Sequence, residues 1–181
     1  MSGFESPPRT VEVVPYDKAW PRRFRAERVL LAQALPRALR IEHIGSTSVA
    51  GLSAKPTIDI LAVVPDVRPV RADHTGLEQI GYEYRPASFA DDPDHMFFRK
   101  VFGNVRTHHL HVLAFSSPRW PQYCLLRDYL RAHEVAARRY EQVKLVLAHR
   151  FATERGRYVA EKSAIVSDLL VEANQWAHGA R

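Results

Sequence analysis

The chain has 181 residues, 46% of them hydrophobic and 25% charged, with a formal net charge of +6. That length supports one domain with a real core, or a small α/β unit carrying a helical extension, and the composition argues against a disordered or fibrous chain. No stretch approaches the roughly 18 uninterrupted apolar residues of a membrane span, so no membrane partner is expected.

Residues 1–10 lack the apolar centre of a signal peptide and read as a flexible leader. Cys124 is the only cysteine, so no internal disulfide can form and a reducing cytoplasm is expected; its apolar neighbours suggest an inert core thiol. Residues 11–14 suggest a short strand ended by Pro15. Trp20-Pro21 then opens a helix, with Pro21 in the first turn where its missing N–H costs nothing. Phe24, Arg28, Leu31 and Leu35 follow at helical spacing, widened by Leu30 and Ala34. Residues 41–44 read as a strand entering the turn Gly45-Ser46-Thr47-Ser48. Residues 57–64 (TIDILAVV) give the strongest strand signal, and their near-continuous apolar character predicts a central strand covered on both faces. Residues 67–80 suggest one helix closed by Gly81, followed by a strand over 82–85 and a loop over 89–94. Residues 96–102 and 105–115 flank Gly103-Asn104 as a hairpin. After Pro118 only helices are expected, over 120–133, 134–151 and 158–176. Strands mixed with helices, then helices alone, predict an α/β (α+β) core over 11–117 with a helical cap over 118–177, together one domain. The charge is uneven. From Arg119 onward 11 Lys and Arg stand against 7 Asp and Glu, which suits a nucleotide, another phosphate ester or RNA as readily as a solvated helical surface.

Chemistry concentrates in EHIGSTSVAGLSAKPTIDI, residues 42–60. Gly45 lets the backbone approach a ligand closely. Ser46, Thr47 and Ser48 bring hydroxyls and the start of a helical turn, and Lys55 brings a mobile positive charge, which together make a phosphate cradle. Asp59 sits inside an apolar strand, a costly place for a carboxylate unless a metal or a hydrogen-bond donor meets it. The plainer reading is a capping turn with Asp59 satisfied by backbone. A second cluster is Thr107, His109 and His111, alternate residues that share one strand face while Leu110 and Val112 point to the core. Two imidazoles so placed can hold a divalent metal or act as acid and base, or form a polar strand surface. His108 faces the core side, His43 stands beside the turn, and His74, His95, His149 and His178 stand alone. On the helices, Arg127 and Arg131 share a face, as do Tyr158 and Lys162; with Lys144 they offer a clamp opposite the turn.

The segment at 42–60 resembles the signature of the GrpB-like family (UPF0157), which is placed in the nucleotidyltransferase superfamily. The likeness extends over residues 16–21, 81–82, 107–112, 126–133, 140–148 and 158–162, so it covers nearly everything from Val11 to Ala173. It implies a nucleotidyltransferase-like mixed β-sheet with flanking helices, with the Gly-Ser turn entering a helix and a metal-binding aspartate on the next strand. Members of that superfamily carry a second carboxylate two residues further on; here that position is Leu61. Ala50 and Glu134 stand where relatives usually have proline. The resemblance also includes relatives fused to a coenzyme-A biosynthetic kinase.

The leading expectation is a metal-dependent transferase that moves a nucleotidyl group from ATP or another NTP to an acceptor. Gly45 and Ser46 would bind phosphates, with Thr47, Ser48, Lys55, Arg127, Arg131, Lys144, Tyr158 and Lys162 around them. Asp59, with His109 or His111, would be catalytic, and Asp59 with His111 would hold magnesium or manganese. Two alternatives are an acid–base or metal enzyme built on His109 and His111, and a nucleotide-binding module without catalysis. Nucleic acid stays open as a partner, as does the oligomeric state.

Overall fold

The computed structural model describes residues 10–179. The expected leader over residues 1–10 falls, except for Thr10, outside the described residues. Five strands form one mixed sheet: β1 (Arg40–Ile44), β2 (Ile58–Val64), β3 (Tyr82–Tyr84), β4 (His95–Phe102) and β5 (Val105–Ala114), in the order β1-β2-β5-β4-β3. Only the β2–β5 pair is parallel. Six helices accompany them: α1 (Trp20–Ala34), α2 (Arg68–Ala72), α3 (Thr75–Gln79), α4 (Arg119–Ala132), α5 (Glu134–Arg150) and α6 (Arg155–Gly179), with a 3-10 turn at Ser46–Ser48. None of the described helices is long and apolar enough to cross a membrane.

β2 is central because its sequence buries both faces. Ile58, Ile60, Ala62 and Val64 point to one side, where Leu110, Val112, Met96, Phe98 and Tyr82 meet Trp20 and Leu31 of α1, Leu35 just after it, and Leu77 of α3. Leu61 and Val63 point to the other side and pack with Ile44, Leu113 and the α4 residues Trp120, Tyr123 and Cys124. Cys124 is therefore a partly buried thiol at the edge of that cluster. Asp59, His109 and His111 lie on this second face, under the terminal helices. Helices α4–α6 are tied to the rest through Val49 and Leu52, which follow the 3-10 turn and pack against Tyr129, Leu130, Tyr140 and Leu169.

Three local expectations need correction. Residues 11–14 do not form a strand of the sheet. Val14 makes a single bridge to Ala54, and Val11 donates to the Ala152 carbonyl at 2.6 Å, so the segment laces the last helices to the turn region. Residues 67–80 form two short helices rather than one. Asp73 is extended and its carboxylate accepts the Thr75 N–H at 3.0 Å, a local bond that competes with helix continuation. Leu30 of α1 is exposed, while Glu27, one turn earlier, is buried.

Glu27 is held by Lys100 of β4, whose Nζ lies 2.9 Å and 3.1 Å from its two carboxylate oxygens. Removing one partner of a buried pair strands the other charge. Lys100→Met is expected to lower the unfolding free energy by about 3 kcal/mol or more, and Lys100→Met with Glu27→Met to recover most of it. Urea denaturation of both variants measures the difference.

Candidate functional site

The site forms where the end of β1, the 3-10 turn, β2 and β5 face the terminal helices. Gly45 leaves β1 with φ +70°, a left-handed conformation that favours glycine. A Cβ there would stand 2.5 Å from Asp59 Oδ2, so the glycine is required on two counts. The turn is then locked internally. Ser48 Oγ donates to the Gly45 carbonyl at 2.6 Å, and Thr47 Oγ1 pairs with His43 Nε2 at 2.9 Å. His43 itself stacks on Phe24, and burial pulls its pKa down to about 4. Thr47 and Ser48 thus shape the turn, and Ser46 and Thr47 line the cleft.

Asp59 is the carboxylate of the cleft, and about a third of its side chain stays open to it. Burial alone would raise its pKa. The His109 hydrogen bond, followed by the charges of His109, His111 and Lys162, outweighs burial and holds the carboxyl below its ordinary range. His109 lies directly across the parallel ladder, and its Nδ1 is 2.9 Å from Asp59 Oδ1. An ionised carboxylate only accepts, so Nδ1–H donates and Nε2 is the ring nitrogen left over. That Nε2 is buried without a hydrogen-bond partner in the structure. His111 is one step along, opposite Leu61. Its Nδ1 is 2.9 Å from Nε2 of His95 on β4. His95, which stands alone in the sequence, therefore belongs to the site's surroundings. The Gly103-Asn104 hairpin signals that β4 lies beside β5, but only the register shift between Lys100 and Val101 pairs His95 with Leu113 and so lays it diagonally beside His111.

Two connected chambers meet at Ser46, Asp59 and Lys162. One, of about 150 Å³, is cationic and includes Lys55, Lys144, Arg155 and Lys162, with His109 and Tyr158. The other, of about 220 Å³, is lined by Tyr123, Leu126, Leu130, Tyr140 and Val166 beside His111 and Arg127. In the first, Lys55 Nζ sits 3.9 Å from the Tyr158 ring centre, a cation–π contact. Burial, then the charges of Arg155 and Lys162, lower its pKa to about 8. Lys144 is buried, donates to Ser46 Oγ at 3.0 Å and to the Ser53 carbonyl, and is pulled to about 7 by burial and then Lys162. Lys162 is held above its ordinary range, chiefly by Tyr140.

The cations around the cleft divide by role. Lys55, Lys144 and Lys162 all line the cationic chamber, and Lys144 in addition tethers the Ser46 hydroxyl. Arg127 donates to Glu42 and to the His43 carbonyl while lining the second chamber. Arg131 donates from Nε and Nη2 to the Ser48 carbonyl and does not line either chamber. The two arginines dock α4 onto the turn.

A paired-magnesium centre does not fit these residues. Leu61 replaces the second carboxylate and is wholly buried among apolar side chains. Asp59 and His111, the expected metal pair, are each engaged by another histidine. Among the described residues no group of three or more His, Cys, Asp or Glu could hold a metal ion. One carboxylate facing several ammonium groups suits an anion instead.

A family model described as GrpB protein matches residues 10–172. A UPF0157 protein of Pseudomonas aeruginosa is 41% identical over 90% of this chain and 67% of its own length. The UPF0157 protein YqkA of Bacillus subtilis is 32% identical over 96% of this chain, which spans only 50% of that relative. The crystal structure of the conserved protein GrpB from Enterococcus faecalis superposes with a TM-score of 0.84 at 33% identity, covering 92% of this chain and 99% of that one.

Gly45→Ala should displace the Asp59 carboxylate and cost about 1–2 kcal/mol from the left-handed backbone alone; thermal unfolding checks it. The buried histidines set a pH dependence. His43 and His95 are lowered to about 4 and His111 to about 3, all chiefly by burial, so the unfolded chain binds more protons between those values and 6.5. Their contribution to stability is complete above pH 6.5 and is lost as pH falls towards 4, up to about 2 kcal/mol for each at pH 5. Urea unfolding at pH 7.5 and pH 5 should show that fall, and equal stability at the two would refute it.

Proposed function

This chain belongs to the GrpB family, and we propose that it binds an NTP or another phosphorylated small molecule with the phosphates in the lysine chamber. The observation that carries this reading is the convergence of Lys55 and Lys162 on the Gly45–Ser46 turn beside the Asp59–His109 pair. Each element answers a need of phosphate chemistry. Gly45 gives backbone access, Lys144 aims the Ser46 hydroxyl, and Lys55 and Lys162 supply positive charge in a partly dry cleft, where it acts more strongly than in water. Tyr158 fixes Lys55 through its ring and orders the lysine pair.

The chemistry this favours is transfer at phosphorus, with nucleotidyl transfer from an NTP to an acceptor as its leading form. That is the activity the nucleotidyltransferase resemblance implies. Lys55 and Lys162 would stabilise charge on the phosphoryl oxygens, and His109, tied to Asp59, would stand beside them. Magnesium or manganese enters this reading only as a companion of the triphosphate. A cytoplasmic setting accords with the single thiol and with nucleotide as ligand. The direct Asp59–His109 contact also favours a second reading, an acid–base enzyme acting on a small phosphorylated substrate without a nucleotide.

Calorimetric titration and thermal shift with ATP, the other NTPs and simple phosphate esters, each with and without magnesium or manganese, separate these readings. Nucleotide binding should weaken at least tenfold in Lys162→Ala and in Lys55→Ala. Response to phosphate esters but not NTPs selects the second reading, and response to none defeats both.

A further inference from the structure

The second chamber carries a chemical arrangement of its own. His111 contributes to its wall and has Nδ1 tied to His95 Nε2, so Nε2 is the nitrogen left for the chamber. The polarity of the His95–His111 bond is set from its far end. Asp92 Oδ2 lies 4.0 Å from His95 Nδ1, beyond hydrogen-bond reach, and Nδ1 is buried without a hydrogen-bond partner, but the carboxylate's charge favours a proton on that nitrogen, even with Arg119 Nε 2.9 Å from the same oxygen. A proton on His95 Nδ1 leaves His95 Nε2 as acceptor in the neutral ring. His111 Nδ1–H must then donate, and the lone pair of His111 falls on Nε2.

The surroundings are built to hold His95 in this pose. Phe89 stacks on it with ring centres 3.9 Å apart, and does so from a left-handed backbone, φ 59°, that a bulky side chain rarely adopts. The Asp92 N–H donates to the Phe89 carbonyl and the His95 N–H to the Asp92 carbonyl, so the loop and the ring are fixed together. Burial keeps His95 and His111 uncharged at neutral pH, which preserves the directional chain.

We propose that the second chamber is the acceptor site, that it takes a molecule with an apolar or aromatic body and a hydroxyl or amine, and that His111 Nε2 accepts the hydrogen bond from that group. His111 is then a catalytic residue, and His95 and Asp92 are positioning residues that fix its tautomer. The chamber's 220 Å³ and its lining of Tyr123, Leu126, Leu130, Tyr140 and Val166 suit a ring-sized apolar body, since a dry cavity of about 150 Å³ holds benzene. The assignment as an acceptor site rests on the transfer reading above. In that transfer the acceptor oxygen or nitrogen bonds to phosphorus, the bond to pyrophosphate breaks with its electron pair on the leaving group, and the acceptor's proton passes to His111 Nε2.

The tautomer is measured on the ligand-free protein, independently of any nucleotide. Multiple-bond proton–nitrogen spectra of histidine-labelled protein, assigned with His111→Leu, should show His111 protonated at Nδ1. Asp92→Asn replaces the carboxylate with an amide that can also donate to His95 Nδ1, and should move His111 towards the Nε2–H form in a protein that stays folded. An Nε2–H tautomer in the wild type, or an unchanged one in folded Asp92→Asn, overturns the positioning role. The chamber is probed with 2-phenylethanol against ethylbenzene. The alcohol should shift the His111 Nε2 resonance and bind about fivefold weaker to His111→Leu, the worth of one hydrogen bond, with ethylbenzene indifferent to the substitution. Equal behaviour of the two probes, or binding of neither, overturns the acceptor site while ATP titration of the lysine chamber reports separately on the transfer reading.

Discussion

The arrangement of this molecule depends on one carboxylate placed on a central strand. Asp59 lies within β2, whose other residues are almost all buried and apolar. A charge in that position must be met by donors or it destabilises the fold. His109 meets one oxygen from the neighbouring parallel strand. The other oxygen presses against the backbone at Gly45, which is why that turn tolerates no side chain. The need for glycine in the turn and the ionisation of the cleft thus converge on one side chain.

The terminal helices complete what the sheet begins. They bring Lys144 and Lys162 over Asp59, and two arginines fasten α4 to the turn and to β1. Burial lowers the pKa of Lys55 and of Lys144, because leaving solvent disfavours their charged forms. An anion entering the chamber would offset that cost, which is the electrostatic basis of the phosphate-binding reading proposed above. Leu61 adds no carboxylate to the cleft, because it belongs to the apolar cluster beneath α4.

Much of the architecture was legible in the sequence because local pattern and tertiary need agree there. The apolar run at 57–64 gave β2, Gly103-Asn104 gave the hairpin, and helical spacing after Pro118 gave α4–α6 to within a few residues. Reading failed where neighbours decide. Residues 11–14 have the composition of a strand, but Val11 and Val14 find partners at Ala152 and Ala54 instead of a sheet edge. Asp73 divides the helix expected over 67–80 through a side-chain bond that periodicity does not register. Arg127 and Arg131 share a helix face as expected, yet their donors go to Glu42, His43 and Ser48.

The sequence by itself determined the family, the mixed α/β plan and the central elements of the cleft, because the Gly-Ser turn, Lys55 and Asp59 lie within fifteen residues and their spacing is local. Only the tertiary structure decided which histidine meets which partner. Asp59 faces His109 rather than His111 because β2 and β5 pair in parallel at that register, and His111 meets His95 because β4 folds back beside β5. Hydrogen-bond direction, ring orientation and the division of the cleft into a cationic and an apolar chamber arise from contacts between residues far apart in the chain, and no linear pattern encodes them.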